Sequence, residues 1–110
     1  MAAAQVHSYI FIANVDSDSV SVIDSATNTV TTTIAGIDEP RGIAVTPNGR
    51  RALVASNGSS RTLVSIDVAT LSVIDPPIVL PGTDEVFSVV ITPDGTKAYA
   101  SRPGSFSVAE

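Results

Sequence analysis

Cysteine is absent from this chain of 110 residues, and histidine occurs once. Without cysteine there is no disulfide, no thiolate nucleophile and no cysteine metal site, so the sequence gives no indication of redox compartment. Basic residues are also few: six Lys and Arg stand against eleven acids, and Arg50 with Arg51 is the only basic doublet. Because binding to a phosphate backbone needs clustered Lys and Arg, we expect no nucleic-acid partner.

Long hydrophobic runs are missing as well. The segment "YIFIA" is too short for a membrane span or for a signal-peptide core, and no basic start precedes it. We therefore expect no membrane insertion and no signal peptide in this sequence, so the compartment stays unassigned. Residues 1–8 are interpreted as a flexible leader.

The residues that are abundant favour β-strands. Hydrophobic residues make up 44% of the chain, and most of them are Val, Ile and Ala with Thr and Ser between them. β-Branched side chains fit a pleated sheet better than a helix. No stretch of ten or more residues combines helical apolar spacing with caps, so the sequence predicts an all-β protein of one domain.

Two short segments of the sequence each occur twice. "GIAVTPNGRRALVAS" at Gly42–Ser56 returns as "SVVITPDGTKAYASR" at Ser88–Arg102, and "VSVIDSATNTV" at Val20–Val30 returns as "LVSIDVATLSV" at Leu63–Val73. Taken together with their connections, the two segments make one repeat unit of four apolar runs separated by turn residues. Four strands therefore form one unit of a little over forty residues.

Turn chemistry separates the strands within each unit. In the Thr-Pro-Asx-Gly stretches, proline pre-sets the first corner, and Gly49 and Gly95 supply a positive φ. The pair Asn57-Gly58 is predicted to turn the next hairpin for the same reason. Asp24 and Asp67 stand where a strand stops, where a short carboxylate accepts hydrogen bonds from backbone N–H groups just ahead.

Four short strands per unit, repeated with this period, are typical of β-propeller blades. From Tyr9 onward, the chain resembles the YVTN-type β-propeller repeat family. Repeats of that family contain a strand and turn ending in Thr-Pro-Asp-Gly, a Tyr-Val-Thr/Ala-Asn strand, and a strand and turn with the sequence Val-Ser-Val-Ile-Asp-Thr-Ala-Thr. The matching segments are Pro40–Gly49, Phe11–Asn14 and Val20–Thr27, with later copies at Val90–Gly95, Leu53–Ser56 and Leu63–Thr70. The third unit departs most, with Arg102 at the position of Asn14 and Val86-Phe87-Ser88 at that of Pro40-Arg41-Gly42.

The resemblance implies an incomplete propeller ring of antiparallel four-stranded blades. We divide the repeat segment 9–110 into a partial blade at 9–36, a complete blade at 37–82 and a partial blade at 83–110. The sum is about ten strands, whereas closed propellers have about four to eight blades. We expect a fragment of a longer gene product; self-assembly into a ring and an open, atypically capped segment are the alternatives.

Acidic pairs mark the candidate ligand-binding position. Asp38-Glu39 and Asp84-Glu85 recur in the connection that leads into the innermost strand, which in propellers lies near one mouth of the central channel. Arg41 stands beside the first pair and is interpreted as screening it. We predict these five residues as ligand-binding, against the alternative that exposed loop acids are merely solvated.

No set of residues in the sequence identifies a reaction. His7 precedes the first strand and lacks an orienting partner, so we assign no catalytic residue. Asp16 and Asp18 resemble the start of a calcium loop but lack its glycine and distant glutamate, and are read as a turn. We predict neither a metal site nor a cofactor, and we assign no glycan to Asn57 because the turn accounts for that motif.

Two classes of function remain. The resemblance to surface-layer repeats implies a non-catalytic scaffold, on the cell surface or secreted, whose partners are other propeller blades, copies of itself, or a protein at the cell surface. The alternative is a piece of a propeller enzyme, a lactonase-like hydrolase or a quinoprotein-like oxidoreductase, with its catalytic residues elsewhere. We prefer the scaffold, since that class needs no reactive residues here.

Overall fold

The computed structural model describes residues 8–58, 61–80, 85–102 and 105–109. Within these residues the chain forms ten strands and no helix. The strands are β1 (Tyr9–Asn14), β2 (Ser19–Asp24), β3 (Thr29–Ala35), β4 (Pro40–Val45), β5 (Arg51–Asn57), β6 (Arg61–Asp67), β7 (Ser72–Val79), β8 (Ser88–Ile91), β9 (Ala98–Arg102) and β10 (Ser105–Ala109). The all-β prediction is confirmed.

The strands form three antiparallel sheets in chain order. The first sheet holds β1, β2 and β3, the central sheet holds β4 to β7, and the third sheet holds β8, β9 and β10. Every strand pairs with its sequence neighbour inside its sheet. The three sheets follow one another as propeller blades do, and they do not close a ring.

The Thr-Pro-Asx-Gly turns close the β4–β5 and β8–β9 hairpins. Gly49 and Gly95 have φ of 71° and 75°, in the left-handed region that favours glycine. The Gly49 N–H donates to the Thr46 carbonyl at 2.8 Å, and the Gly95 N–H donates to the Thr92 carbonyl at 2.9 Å. The prediction of positive φ at both glycines is confirmed.

The aspartates that end β2 and β6 also behave as predicted. Oδ1 of Asp24 accepts a hydrogen bond from the Ala26 N–H at 2.9 Å, and Oδ1 of Asp67 accepts one from the Ala69 N–H at the same distance. Each carboxylate fixes the turn into the next strand.

Gly58 overturns part of the turn prediction. Its φ does not lie in the left-handed region, unlike that of Gly49. A Cβ added to Gly58 would overlap the carboxyl group of Asp38. Glycine is therefore required here because a side chain would collide with the neighbouring loop. A positive φ is not the reason.

One apolar core lies between the first and central sheets. Val20 and Val22 of β2 pack there with Val54 of β5 and Ile66 of β6, and all four side chains are fully buried. A second core lies between the central and third sheets. Its buried members are Ala55, Leu63, Leu80, Val86, Val89, Ala98 and Ala100.

Alternation along β5 and β6 divides their side chains between these two cores. Val54 and Val64 point toward the first sheet, whereas Ala55 and Leu63 point toward the third. Successive side chains of a strand lie on opposite faces, so the continuous apolar sequence follows from burial on both faces.

The innermost strands of the central and third sheets approach closely. A Cβ on Gly42 of β4 would lie 2.7 Å from the Cα of Ser88 in β8 and 2.9 Å from the Phe87 carbonyl oxygen. Real Cβ atoms do not approach backbone this closely, so only glycine fits at position 42 without a shift of β8. The sheets therefore converge at their first strands.

No described residue covers the outer faces of the first and third sheets. We call them the first end face, with Ile10, Ile12, Ile23 and Val30, and the last end face, with Val90 and Tyr99. Ile12 occupies the same place in its sheet as Val54, yet Ile12 is 42% exposed and Val54 is 0% exposed. Val90 at 60% and Tyr99 at 39% are likewise exposed.

Candidate functional site

The loops that lead into the innermost strands meet other loops at one end of the sheets. We call this end the loop rim, formed by residues 15–18, 36–39, 58 and 85–87 among those described. The Asp18 carbonyl accepts from the Ile37 N–H at 3.2 Å, and Asp18 Oδ1 accepts from the Glu39 N–H at 3.0 Å. Asp18 thus ties the β1–β2 turn to the segment before β4.

Asp38, the first predicted site residue, is anchored by its neighbours. Its carboxyl group lies against Gly58, and its carbonyl oxygen accepts a hydrogen bond from the Ser56 hydroxyl. These contacts join the segment before β4 to the end of β5. The Asp38 side chain is therefore part of the loop structure.

Glu39 and Arg41, two further residues of the predicted site, lie within ion-pair distance of each other. Oε1 of Glu39 lies 4.0 Å from a terminal guanidinium nitrogen of Arg41. Both side chains are partly exposed, at 46% for Glu39 and 33% for Arg41, so the ion pair contributes little to stability.

Arg41 also reaches the third sheet. Its guanidinium carbon lies 5.1 Å from the centroid of the Phe87 ring, within the range of a cation–π interaction. Phe87 occupies the place in the third repeat that Arg41 occupies in the second. The substitution between repeats therefore creates a contact between successive sheets.

The second acidic pair is only partly placed. Asp84 lies outside the described residues. Glu85 is exposed, and its carboxylate makes no hydrogen bond or ion pair within the described part of the chain. The ligand-binding role of the two pairs remains a prediction.

Asn57, the last residue of β5, lies next to the rim and has a role that the sequence did not reveal. It is 4% exposed at the end of β5, and its Oδ1 accepts from the Val86 N–H at 2.9 Å. Its own N–H donates to the Glu39 carbonyl at 3.1 Å. Asn57 therefore connects the segments that precede β4 and β8, a contact that depends on the packing of two sheets.

At the opposite end of the sheets, Asp94 closes the β8–β9 turn. Oδ1 of its carboxylate accepts from the Thr92 hydroxyl at 2.6 Å, from the Thr96 N–H at 3.1 Å and from the Thr96 hydroxyl at 2.8 Å. These hydrogen bonds, the one from Thr92 first, lower the pKa of Asp94 from 3.8 to about 2. The carboxylate therefore stabilises the turn through hydrogen bonds within it.

The part of the chain that the structure describes adds neither a metal-binding group nor a membrane-spanning helix to the site. Among the described residues, no three His, Cys, Asp or Glu side chains are grouped so that they could hold a metal ion. His7 lies outside the described residues. No helix in the described ranges has the length and apolar character to cross a membrane.

Comparison with solved structures identifies a propeller-like neighbour. A chain of hydrazine synthase from Kuenenia stuttgartiensis, a β-propeller-containing protein, superimposes with a TM-score of 0.81 and 29% sequence identity over 92% of this chain. The aligned region spans 29% of that chain. No protein-family model and no curated protein matches the sequence. The comparison supports a propeller-like fold.

Proposed function

We propose that this chain is a non-catalytic propeller module, built from YVTN-type repeats, that acts as a structural and interaction scaffold within a larger propeller. The observation that carries the proposal is the burial of the central sheet on both faces by sheets of the same design. The YVTN assignment rests on the sequence motifs, above all the two Thr-Pro-Asx-Gly turns and the two Ile-Asp strand ends. Surface-layer repeats, which these motifs resemble, also suggest a partner at the cell surface.

The end faces identify the first partners in this proposal. Ile12 matches the buried Val54, and Tyr99 matches Leu53, which packs against the second core. Each end face therefore presents side chains that neighbouring sheets cover elsewhere in the chain. Further blades of a longer protein, or copies of this chain, would cover them in the same way.

We retain the division into blades as part of the proposal: a partial blade at 9–36, a complete blade at 37–82 and a partial blade at 83–110. Among the described residues, the first of these blades contains β1 to β3 and the last contains β8 to β10.

The test is the mass of the isolated chain in solution, measured by light scattering, together with binding of a hydrophobic dye. With both end faces uncovered, the chain of 11.3 kDa should associate and bind dye. The triple variant Ile10→Thr, Ile12→Thr, Val90→Thr should shift the mass toward the monomer and reduce dye binding. Val79→Thr is the matched control, because Val79 is 72% exposed on the central sheet. A wild-type chain that is monomeric and binds no dye would refute the proposal.

At the loop rim we propose a contact surface for a positively charged ligand or partner. Partly exposed Glu39 and exposed Glu85 support it, as does the net charge of -5, whereas the carboxyl group of Asp38 lies against Gly58. Titration with spermidine, followed by NMR, should shift rim amides in the wild type. The shifts should fall several-fold in Glu39→Gln/Glu85→Gln and stay nearly unchanged in Asp75→Asn, which removes an exposed negative charge outside the rim. An equal fall in both variants would indicate unspecific charge attraction.

A second candidate is favoured by the name of the structural neighbour, which is that of an enzyme. In this alternative the segment belongs to the propeller of a lactonase-like hydrolase or a quinoprotein-like oxidoreductase, with catalytic groups on other blades. Assays of a longer gene product for lactone hydrolysis and for quinone-dependent oxidation distinguish the two. Turnover in either assay would replace the scaffold proposal with the enzyme.

A further inference from the structure

A cavity of about 140 Å³ lies between the central and third sheets, at the end opposite the loop rim. It lies beside the two Thr-Pro-Asx-Gly turns and is independent of the acidic pairs. Its lining residues come from both sheets in equal number. They are Thr46, Arg51, Leu53, Ser65 and Ile78 on one side, and Ile91, Gly95, Thr96, Lys97 and Ala98 on the other.

Comparison of the repeats explains why the cavity exists. In the first sheet Phe11 stands opposite Val22, and Val22 is fully buried in the first core. In the central sheet the matching cross-strand pair is Leu53 and Ser65. Leu53 is smaller than Phe11, and Ser65 is smaller than Val22. The interface between the central and third sheets therefore holds less side-chain volume here than the interface between the first and central sheets.

An irregularity in β7 adds to the opening. The β6–β7 pairing shifts register between Leu63 and Ser65, so that Ile78 stands opposite Leu63 and Ile74 opposite Ser65. The three intervening residues of β7 have no partner in the ladder. This bulge leaves the edge of the cavity next to Ser65 without a regular neighbouring strand.

The lining combines an apolar floor with positive charge. Leu53, Ile78, Ile91 and Ala98 are apolar, and the only ionisable residues among the lining are Arg51 and Lys97. Arg51 lies two residues before Leu53 in β5, hence on the same face of the strand. Within the described part of the chain, the Arg51 guanidinium and the Ser65 hydroxyl have no hydrogen-bond or ion-pair partner. Both groups are available to a ligand.

We propose that this cavity binds a small organic carboxylate with a short apolar tail. The tail would lie on Leu53 and Ile91, and the carboxylate would accept hydrogen bonds from the Arg51 guanidinium, whose planar donors match carboxylate geometry. A cavity of about 150 Å³ holds a benzene molecule in another protein, so a ligand of about six or seven non-hydrogen atoms fits, such as pentanoate. The site is separate from the proposed scaffold role and does not depend on it.

The experiment is a pentanoate titration of the full chain, followed in ¹H–¹⁵N NMR spectra. We expect saturable shifts of the Ser65, Ile91 and Ala98 amides with a Kd on the order of 1 mM, which suits a ligand of this size. Acetate lacks the tail and 1-pentanol lacks the charge, so each should bind at least about fivefold more weakly. No saturable shift at the lining residues would overturn the proposal.

Two variants and one control make the test specific. Ser65→Val introduces the residue that the first sheet has at the matching position, so it should fill the cavity and weaken pentanoate binding at least about tenfold. Arg51→Met should weaken binding about fivefold through loss of the guanidinium donors. Arg50→Met is the control, since Arg50 is exposed and outside the lining, and should leave the Kd within about twofold.

The outcomes separate the site from its alternatives. Unchanged affinity in Ser65→Val would show that pentanoate does not occupy the cavity. Equal weakening by Arg50→Met and Arg51→Met would show unspecific attraction to positive charge, and would likewise overturn the proposal. Because Arg51→Met changes a surface residue, it decides the question even if Ser65→Val alters the packing of the sheets.

Discussion

The Arg41 guanidinium lies 5.1 Å from the centroid of the Phe87 ring, although the two residues hold the same place in successive repeats. A repeat that kept arginine at both places would set two like charges side by side on neighbouring sheets. The change to phenylalanine turns that repulsion into an attraction between a cation and an aromatic face.

The first prediction concerns this contact. A double-mutant cycle with Arg41→Met and Phe87→Leu should give a coupling free energy of about 0.5–1 kcal/mol, the range for a partly exposed cation–π pair. Urea unfolding of the four proteins measures it. Additive effects of the two substitutions would show that Arg41 and Phe87 do not interact in solution.

The second prediction compares two isoleucines at the same place in adjacent sheets. Ile66 is fully buried in the first core, whereas Ile23 lies on the first end face. Ile66→Ala should lower the free energy of unfolding by about 2–4 kcal/mol, and Ile23→Ala by about 1 kcal/mol or less. Urea unfolding at low protein concentration makes the comparison. Equal losses would mean that a neighbouring sheet already covers Ile23.

The third prediction tests the steric role of Gly58. Gly58→Ala should destabilise the chain by about 1–3 kcal/mol because the methyl group displaces the Asp38 carboxyl. In an Asp38→Gly background the same substitution should cost several-fold less. Thermal unfolding of the four proteins measures both costs; a penalty that is the same in both backgrounds would contradict the contact.

The fourth prediction concerns the stability of the fold at low pH. Since the pKa of Asp94 falls from 3.8 to about 2 on folding, its contribution to stability is present above about pH 4 and is lost as the pH falls toward 2. NMR titration of the Asp94 carboxyl carbon should give a midpoint near pH 2. Thr92→Val removes the leading hydrogen bond and should move the midpoint toward 3.8. An unchanged midpoint in this variant would exclude the Thr92 hydroxyl as the cause.

Much of the fold was predictable because its signals are local. The glycines of the Thr-Pro-Asx-Gly turns and the carboxylates of Asp24 and Asp67 act on backbone within two or three residues, so the sequence alone locates the turns. Once the turns are placed, runs of apolar residues on both faces of a strand indicate a sheet packed on both sides.

The candidate site was less predictable because its contacts join different sheets. The acidic pairs were expected to be ligand-binding, but the loop position of Asp38 is fixed by Gly58 and Ser56, and Glu39 faces Arg41. Asn57 reads as a turn residue in the sequence and becomes a link to Val86 only when two sheets pack. A comparison of Val22 with Ser65 between repeats was the available signal for the cavity.

Methyl–methyl NOEs across the central sheet test the stacking of the three sheets most directly. The account predicts NOEs from the methyl groups of Val20 and Val22 to those of Val54 and Ile66, and separate NOEs from Leu63 to Val89. NOEs that joined Val54 and Leu63 to the same neighbouring sheet, or an absence of NOEs between sheets, would contradict it.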